Sequence, residues 1–233
     1  MGATEHASFS DWAVQLQGLA AVNRDDFVDE HKISEESKTE VFQNEVNWSD
    51  LGDVYSPPTK PLREILPQVD LAGADTNEPV FLFFEACAHE RMLNDASRDT
   101  TREHGGILTG EAYKDPGGQY FVLIKDAIAA TDSQGSSTHL QFRAESWKPV
   151  WDHLQLNPSV QILGWYHTHP GLGVFLSGTD LRTQRLYFAS PWNIAVVIDP
   201  IARRIGYFFG ENGKRVKFVK KLAEADARRN AVI

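Results

Sequence analysis

The sequence contains only one cysteine, Cys87, among its 233 residues. A single cysteine excludes an internal disulfide, and chains without disulfides are typical of the reducing cytoplasm. Cys87 lies in an apolar, helix-like stretch, which indicates a small buried hydrophobe rather than a catalytic nucleophile. The composition therefore predicts a cytoplasmic protein without a disulfide framework.

Long hydrophobic runs are also absent. No apolar run approaches the roughly 18 to 20 residues that are needed to cross a bilayer, and the N-terminal residues lack the basic and apolar regions of a secretory signal. The chain is 42% hydrophobic and 24% charged, which is typical of a globular protein with one main domain and an appendage. We therefore expect a soluble protein that does not bind membranes.

Basic residues are scarce in the first third of the chain. Residues 1–78 contain 5 Lys or Arg against 16 Asp or Glu, whereas residues 79–233 contain 18 against 16. Because phosphate binding requires a basic surface, nucleic acid is excluded as the main partner. Basic residues between 214 and 221 alternate with apolar ones. That pattern predicts a half-exposed strand that runs into a terminal helix.

Residues 1–78 are predicted to form an acidic, partly helical N-terminal extension. Residues 11–22 carry apolar side chains at helical spacing, which predicts a short amphipathic helix. A Pro-rich loop follows, and Gly73 and Asn77 mark the boundary before a core domain at 79–233. Low hydrophobicity and high net charge favour a disordered tail. The alternative is docking on the core domain or on a partner protein through Trp12, Phe27, Phe42, Trp48 and Tyr55.

The core domain is predicted to be α/β, because strand-like runs alternate with helical patterns. Residues 80–84 predict a buried strand and residues 85–97 a helix. A further helix begins at a Ser146 cap and places Trp147, Val150, Trp151 and Leu154 on one apolar stripe. The remaining predicted elements are strands at 104–111, 119–129, 160–166, 192–199 and 204–209 and a helix at 180–189.

Four polar residues between 167 and 180 have the spacing of a metal site: His167, His169, Ser177 and Asp180. Side chains at i and i+2 of a strand point to the same face, so both imidazoles can reach one ion. Pro170 and the glycines after it end the strand, and the loop leads back to Asp180. Catalytic zinc takes three ligands of the His and carboxylate type and keeps a fourth position for water. His167, His169 and Asp180 are therefore candidate ligands for one catalytic Zn²⁺.

Structural roles are an alternative for each of these residues. The histidines can be ordinary polar residues on a strand face, and Ser177 with Asp180 resembles a helix capping box. For a residue considered alone, each structural role is at least as common as the functional one. The four-residue pattern, however, arises by chance on the order of once in a thousand sequences of this length. The combination therefore favours a functional motif.

Hydrolysis at a zinc site needs a general base that takes a proton from water and returns it to the leaving amine. Glu103 is the candidate, because it directly precedes a Gly-rich, strand-like run. Glu90 and Glu111 are nearby alternatives, and a solvated role is common for any glutamate beside a strand. The pattern Glu-x-x-Gly-x-Leu-x-Gly favours Glu103.

Together these residues resemble the signature of the JAMM (JAB/MPN) metalloprotease family, which is a distant Glu, His-x-His, seven residues, Ser, two residues and Asp. The resemblance covers roughly residues 79–222 and implies an MPN/JAB, cytidine-deaminase-like fold, a mixed curved β-sheet flanked by helices. It implies that His167, His169 and Asp180 hold zinc and that Glu103 activates water. It also implies that Ser177 stabilises the oxyanion. Further residues similar to the deubiquitinating branch are Gly164, Trp165, Pro170, Phe175 and Leu176.

Members of that branch cleave the isopeptide bond after the C-terminal glycine of ubiquitin or a ubiquitin-like protein. The resemblance therefore implies a zinc-dependent isopeptidase whose partners are such modifiers and their conjugates. A Gly-Gly tail suits a narrow groove, since an extended chain can add a strand to an exposed sheet edge. Residues 131–140 stand where such enzymes carry a substrate-contacting insertion, and an ordinary loop is the alternative there.

A second family insertion, which in some eukaryotic members carries a structural zinc, is missing from the sequence. Only eleven residues, none of them cysteine, separate Asp180 from Trp192. This compact form resembles bacterial members, which accompany ubiquitin-like proteins and E1- or E2-like enzymes in conjugation systems, some of them implicated in antiphage defence. Two other functions remain open. One is a peptidase that processes sulfur-carrier proteins or small peptide conjugates, and the other is a non-catalytic MPN scaffold.

Overall fold

The structure of the protein, a computed structural model, describes residues 56–75, 77–130, 134–136, 139–141 and 147–223. Several predictions lie outside these residues. They are the helix at 11–22, the five aromatic anchors of the extension, the Ser146 cap and the terminal helix after residue 223.

The described residues form an eight-stranded mixed sheet and a separate two-stranded hairpin. In chain order the strands are β1 (Val80–Phe84), β2 (Gly105–Lys114), β3 (Tyr120–Ala129), β4 (Gln134–Ser136), β5 (His139–Gln141), β6 (Gln161–Thr168), β7 (Ile194–Asp199), β8 (Arg204–Phe209), β9 (Lys214–Arg215) and β10 (Phe218–Lys221). The large sheet has the order β10-β1-β3-β2-β6-β7-β8-β9, and β4 pairs with β5. The helices are α1 (Leu62–Ile65), α2 (Ala86–Ala96), α3 (Lys148–Leu156) and α4 (Gly178–Tyr187).

The large sheet contains both parallel and antiparallel pairs of strands. Strand β1 is parallel to both β3 and β10, and β6 is parallel to β7, whereas the other pairs are antiparallel. The register of β2 shifts at Thr109, once against β3 and once against β6. Such shifts bend a strand and increase its twist. A mixed, curled sheet flanked by helices was the predicted fold class, and it is confirmed.

A glycine allows the backbones of β2 and β3 to lie close together beside this shift. A Cβ atom on Gly110 would lie 2.0 Å from the carbonyl oxygen of Leu123, which no side chain can tolerate. Glycine in a strand often marks a place where another backbone approaches closely. The close pairing of β2 with β3 therefore depends on Gly110.

Strand β1 is apolar at every position because both of its faces are buried. Leu82 and Phe84 belong to the cluster beneath α2, where the helix contributes Ala88, Met92 and Ala96. Cys87 lies on the opposite side of α2 and is exposed. Our interpretation of Cys87 as a buried hydrophobe is therefore wrong, because the helix turns this position away from the sheet.

The other face of β1 carries Phe81 and Phe83 and packs against residues that precede the sheet. Leu62 of α1 and Leu66 join these phenylalanines in a second buried cluster. Part of the segment 1–78 thus packs directly on the core. The domain boundary at residue 79 stays a prediction.

The other predicted elements occur with small shifts of their ends. Helix α3 has Trp147, which is buried, as its N-cap residue, and Val150 is buried on its inner side. Strand β6 extends to Thr168, and β10 is half-exposed as predicted. Among the described residues, no helix is both long enough and apolar enough to cross a membrane.

Candidate metal centre

The end of β6 directs both histidines of the motif to one face of the sheet. His167 pairs with Val197 of β7, and the backbone N–H of His169 donates to the carbonyl of Ile198 at 2.8 Å. Strand-like pairing thus continues past Thr168, so the two side chains lie on the same side of the pleat. Both imidazoles are buried, at 0% and 2% exposure.

The loop after His169 is held by a buried aspartate at the end of β7. Asp199 is 2% exposed and accepts the backbone N–H groups of Gly171 and Gly173, each at 3.0 Å. It also accepts those of Ile201 and Ala202 in the following turn. Burial raises the pKa of Asp199, but these backbone hydrogen bonds lower it more, so the pKa lies below its usual value.

The first turn of α4 combines a helix cap with a candidate ligand. The Ser177 side chain accepts the backbone N–H of Asp180 at 3.2 Å, and the Asp180 carboxylate accepts the backbone N–H of Ser177 at 2.7 Å. This is a capping box. The structural and functional interpretations of these residues are therefore compatible, because the box also fixes the orientation of the Asp180 carboxylate.

Three potential metal ligands converge on one point. The Nε2 atoms of His167 and His169 are 3.1 Å apart, and they lie 3.4 Å and 3.5 Å from the two carboxylate oxygens of Asp180. A tetrahedral site with zinc–ligand bonds of 2.0 to 2.1 Å has ligand atoms about 3.3 Å apart. The three side chains thus fit a zinc ion. Among the described residues, they form the one group of His, Cys, Asp and Glu that could hold a metal.

The electrostatics of the three groups favour binding of a cation. Burial lowers the pKa of His167, which favours the neutral imidazole that metal ligation requires. Burial also lowers the pKa of His169, but the neighbouring Asp180 and Glu103 outweigh it and raise this pKa above its usual value. Burial raises the pKa of Asp180, yet the two imidazoles lower it far more, so Asp180 stays ionised. A charged carboxylate thus lies beside two imidazole nitrogens, and these are ligand types that zinc takes.

Glu103 lies beside this group and is 4% exposed. Its Oε1 atom is 3.7 Å from Nε2 of His169. Burial raises its pKa, His169 opposes that shift, and Asp180 adds to it, so the net pKa is raised. The two alternative glutamates are engaged elsewhere, since Glu90 pairs with Lys221 at 2.9 Å and Glu111 binds Lys125.

The neighbouring residue His104 anchors the backbone that carries Glu103. Its ring Nε2 lies 2.8 Å from the carbonyl of Asp95, and its backbone N–H donates to the hydroxyl of Thr168 at 3.0 Å. Thr168 in turn donates its own N–H to the carbonyl of His104 at 2.8 Å. These contacts join the start of β2 to the end of β6, and thus connect the backbone segments that carry Glu103 and His169.

Two residues that hold the backbone around the centre were not identified as such from the sequence. Asp199 was included in a strand, and His104 was noted only as part of a Gly-rich run. A polar residue on the inward side of an apolar pattern is the signal that each of them offers, because buried polar groups require partners.

Comparison with known proteins agrees with this site. Residues 84–190 match the family model described as JAB1/Mov34/MPN/PAD-1 ubiquitin protease. The chain is 32% identical over 142 residues to the 26S proteasome non-ATPase regulatory subunit 14 of Drosophila melanogaster, which covers 58% of this chain and 42% of that protein. The Caenorhabditis elegans protein of the same name is 34% identical over 139 residues, or 57% and 41% of the two chains.

A third relative is the COP9 signalosome complex subunit 5 of Oryza sativa subsp. japonica. It is 32% identical over 121 residues, which are 49% of this chain and 32% of that protein. The chain therefore spans less than half the length of these curated relatives. The matched residues 84–190 include Glu103, both histidines, Ser177 and Asp180, and the chain thus contains a JAB/MPN domain of the JAMM family.

Proposed function

We propose that this protein is a zinc-dependent isopeptidase that cleaves after the C-terminal glycine of ubiquitin or a ubiquitin-like protein. The observation that carries the proposal is the convergence of His167, His169 and Asp180 at tetrahedral spacing beside the buried Glu103. The match to a ubiquitin protease family supports the substrate class. Removal of the modifier from conjugates and maturation of its precursor are the same reaction at this site.

Each residue has a defined task in this proposal. Two imidazoles and the Asp180 carboxylate would hold the ion, which when bound lowers the pKa of water toward about 7 and polarises a carbonyl. Glu103 takes the proton of the attacking water and later delivers it to the departing lysine nitrogen. The Ser177 hydroxyl accepts a backbone N–H as a cap, which leaves its own hydrogen to donate to the developing oxyanion.

The surface beside the centre supports binding of an extended peptide. Phe175 is 47% exposed and its ring centroid lies 5.0 Å from that of His169, so an apolar wall borders the candidate ligands. The predicted insertion at residues 131–140 overlaps strands β4 and β5, which pair antiparallel. We propose that this hairpin offers an edge to the C-terminal tail of the modifier, where glycine allows close approach.

The wider setting is part of the same proposal. Residues 79–233 form the catalytic domain, and residues 1–78 form an extension that docks on it or on a partner. The proposed partners are E1- or E2-like enzymes of a bacterial conjugation system. We propose that this system acts in the cytoplasm and in antiphage defence.

A fusion of a ubiquitin-like protein to a reporter, joined after the terminal Gly-Gly, tests the proposal. The full chain is expected to release the reporter, and a chelator should abolish release until zinc is added back. Glu103→Gln should bind zinc normally but cut about 10² to 10⁴ times more slowly. Glu111→Gln is the matched control and should cut like the wild type.

Cleavage at the wild-type rate in chelator, or by Glu103→Gln, would contradict the mechanism. A chain that binds zinc yet cleaves no modifier fusion would instead indicate the scaffold function. Processing of a sulfur-carrier precursor in preference to ubiquitin-like fusions would indicate the alternative peptidase.

A further inference from the structure

Helix α4 has two buried residues, and both are polar. Asp180 is a candidate metal ligand, and Gln184 lies one turn later on the same side of the helix with 0% exposure. Burying an amide without hydrogen bonds is unfavourable, so the inward side of a helix is normally apolar. Gln184 must therefore have partners that satisfy it.

The amide of Gln184 is fixed at both of its ends. Its Oε1 accepts the indole Nε1–H of Trp165 at 2.9 Å, and its Nε2 donates to the carbonyl of Phe188 at 2.9 Å. An indole N–H can only donate and a carbonyl can only accept, which determines the orientation of the amide. Gln184 therefore holds the indole in one position.

Trp165 in turn packs flat against a candidate ligand. Its ring centroid lies 4.4 Å from that of His167, and the two planes differ by 8°. Trp165 also stacks on Phe188, at 6.2 Å and 17°. Because the indole covers one face of the imidazole, His167 cannot turn its ring without colliding with Trp165.

The usual orienting contact of a metal-binding histidine is a hydrogen bond from its second ring nitrogen. Within the described part of the chain, Nδ1 of His167 has no hydrogen-bond partner. We propose that Gln184 is a positioning residue of the metal centre, which holds Trp165 against His167 so that Nε2 of the imidazole stays directed at the point it shares with His169 and Asp180. This inference rests on the proposed function of the site.

The proposal links two ligands through one helix. Helix α4 contributes Asp180 from its first turn. From its second turn it contributes Gln184, which holds Trp165 against His167. A shift of α4 would therefore move a carboxylate and release an imidazole at the same time. Gln184 should consequently affect metal affinity more than a buried hydrogen bond elsewhere affects it.

The test measures zinc affinity on the metal-free full chain with a competing chromophoric chelator. Gln184→Met has similar volume but no hydrogen bonds, and we expect it to bind zinc about 10 to 100 times more weakly. Thr109→Val is the matched control, since Thr109 is fully buried, its hydroxyl lies 3.2 Å from Nε2 of His153, and it pairs with Ile162 at the other end of β6. It should bind zinc like the wild type.

Trp165→Phe retains a stacking ring but frees Gln184, so it should weaken binding by a similar factor. The double variant Trp165→Phe/Gln184→Met should bind zinc only slightly more weakly than either single variant, because both changes remove the same hydrogen bond. The visible spectrum of the Co²⁺-loaded protein gives a second readout. Gln184→Met should alter its tetrahedral absorption bands, whereas Thr109→Val should not.

Wild-type zinc affinity and an unchanged cobalt spectrum in Gln184→Met would overturn the role of Gln184 but not the metal centre. If Gln184→Met does not fold, Trp165→Phe decides, and unchanged affinity in that variant has the same meaning. A wild-type chain that takes up no zinc would overturn the metal centre itself. The two failures are therefore distinguishable.

Discussion

The side chain of Asp199 accepts the backbone N–H of Gly173 at 3.0 Å, which ties the end of β7 to the loop between the candidate ligands. That loop joins His169 to the helix that carries Asp180. The position of one ligand relative to another thus depends on a carboxylate that is not itself a ligand.

We expect Asp199→Asn to destabilise the protein by about 2 to 3 kcal/mol, because an amide nitrogen would face a backbone N–H that now donates to a charged oxygen. Urea denaturation at neutral pH measures the loss. Asp115→Asn is the control, since Asp115 accepts the N–H of Gly117 in an exposed turn, and it should change the free energy of unfolding by less than about 0.5 kcal/mol. Equal stability of the two variants would contradict the role of Asp199.

The same variant predicts a pH dependence. The pKa of Asp199 is lowered in the folded protein, so its ionised form stabilises the fold fully above the unfolded-state pKa, which is about 3.9. That stabilisation is lost as the pH falls through the lower, folded-state pKa. The stability difference between wild type and Asp199→Asn should therefore shrink below about pH 4. Urea titrations at about pH 7 and about pH 3 test this, and a constant difference would contradict it.

Variants of Ser177 separate its two roles. Ser177→Ala should lose both the cap and the hydroxyl, which costs about 1 kcal/mol of stability and about 10² to 10³ in turnover. Ser177→Asn keeps a good N-cap without a hydroxyl, so it should keep the stability but not the turnover. Ser177→Thr should retain both properties. Full activity in Ser177→Asn would show that the residue is only a cap.

Removal of metal should lower the melting temperature without unfolding the chain. The ligands lie on elements that β-sheet pairing and the capping box hold independently. Zinc at a hundred times its Kd should add about 2.7 kcal/mol to the free energy of unfolding. Scanning calorimetry with and without chelator measures this, and Asp180→Ala should abolish the difference.

Residues just before the sheet should contribute to stability. Leu66 is 4% exposed in the cluster with Phe81 and Phe83. We expect Leu66→Ala to cost about 2 to 5 kcal/mol. Removal of residues 1–70 should therefore destabilise the domain strongly. Removal of residues 1–55 is a separate experiment, and its effect on activity and melting temperature tests the proposed docking role of the extension. Equal melting temperatures of the two truncated chains would contradict this packing.

Most helices and strands could be predicted, because the spacing of apolar and polar residues within each segment indicates its structure. Alternation places His167 and His169 on one face, and the Ser177–Asp180 spacing predicts the capping box that the structure contains. The pairing partners could not be predicted, since β1 lies between strands that are distant in the sequence. The roles of Asp199 and Gln184 escaped prediction for the same reason. Each is defined by a backbone N–H or an indole that only the tertiary fold brings near.

The parallel pairing of β1 with β10 joins Phe84 to Lys221, so an early strand of the sheet is covered by the last strand that the structure describes. During synthesis on the ribosome, the β10-facing edge of β1 stays open until residue 221 has emerged from the exit tunnel. Such long-range pairing folds slowly and exposes apolar strands meanwhile. The nascent domain is therefore expected to be a chaperone client until translation has passed its final strand.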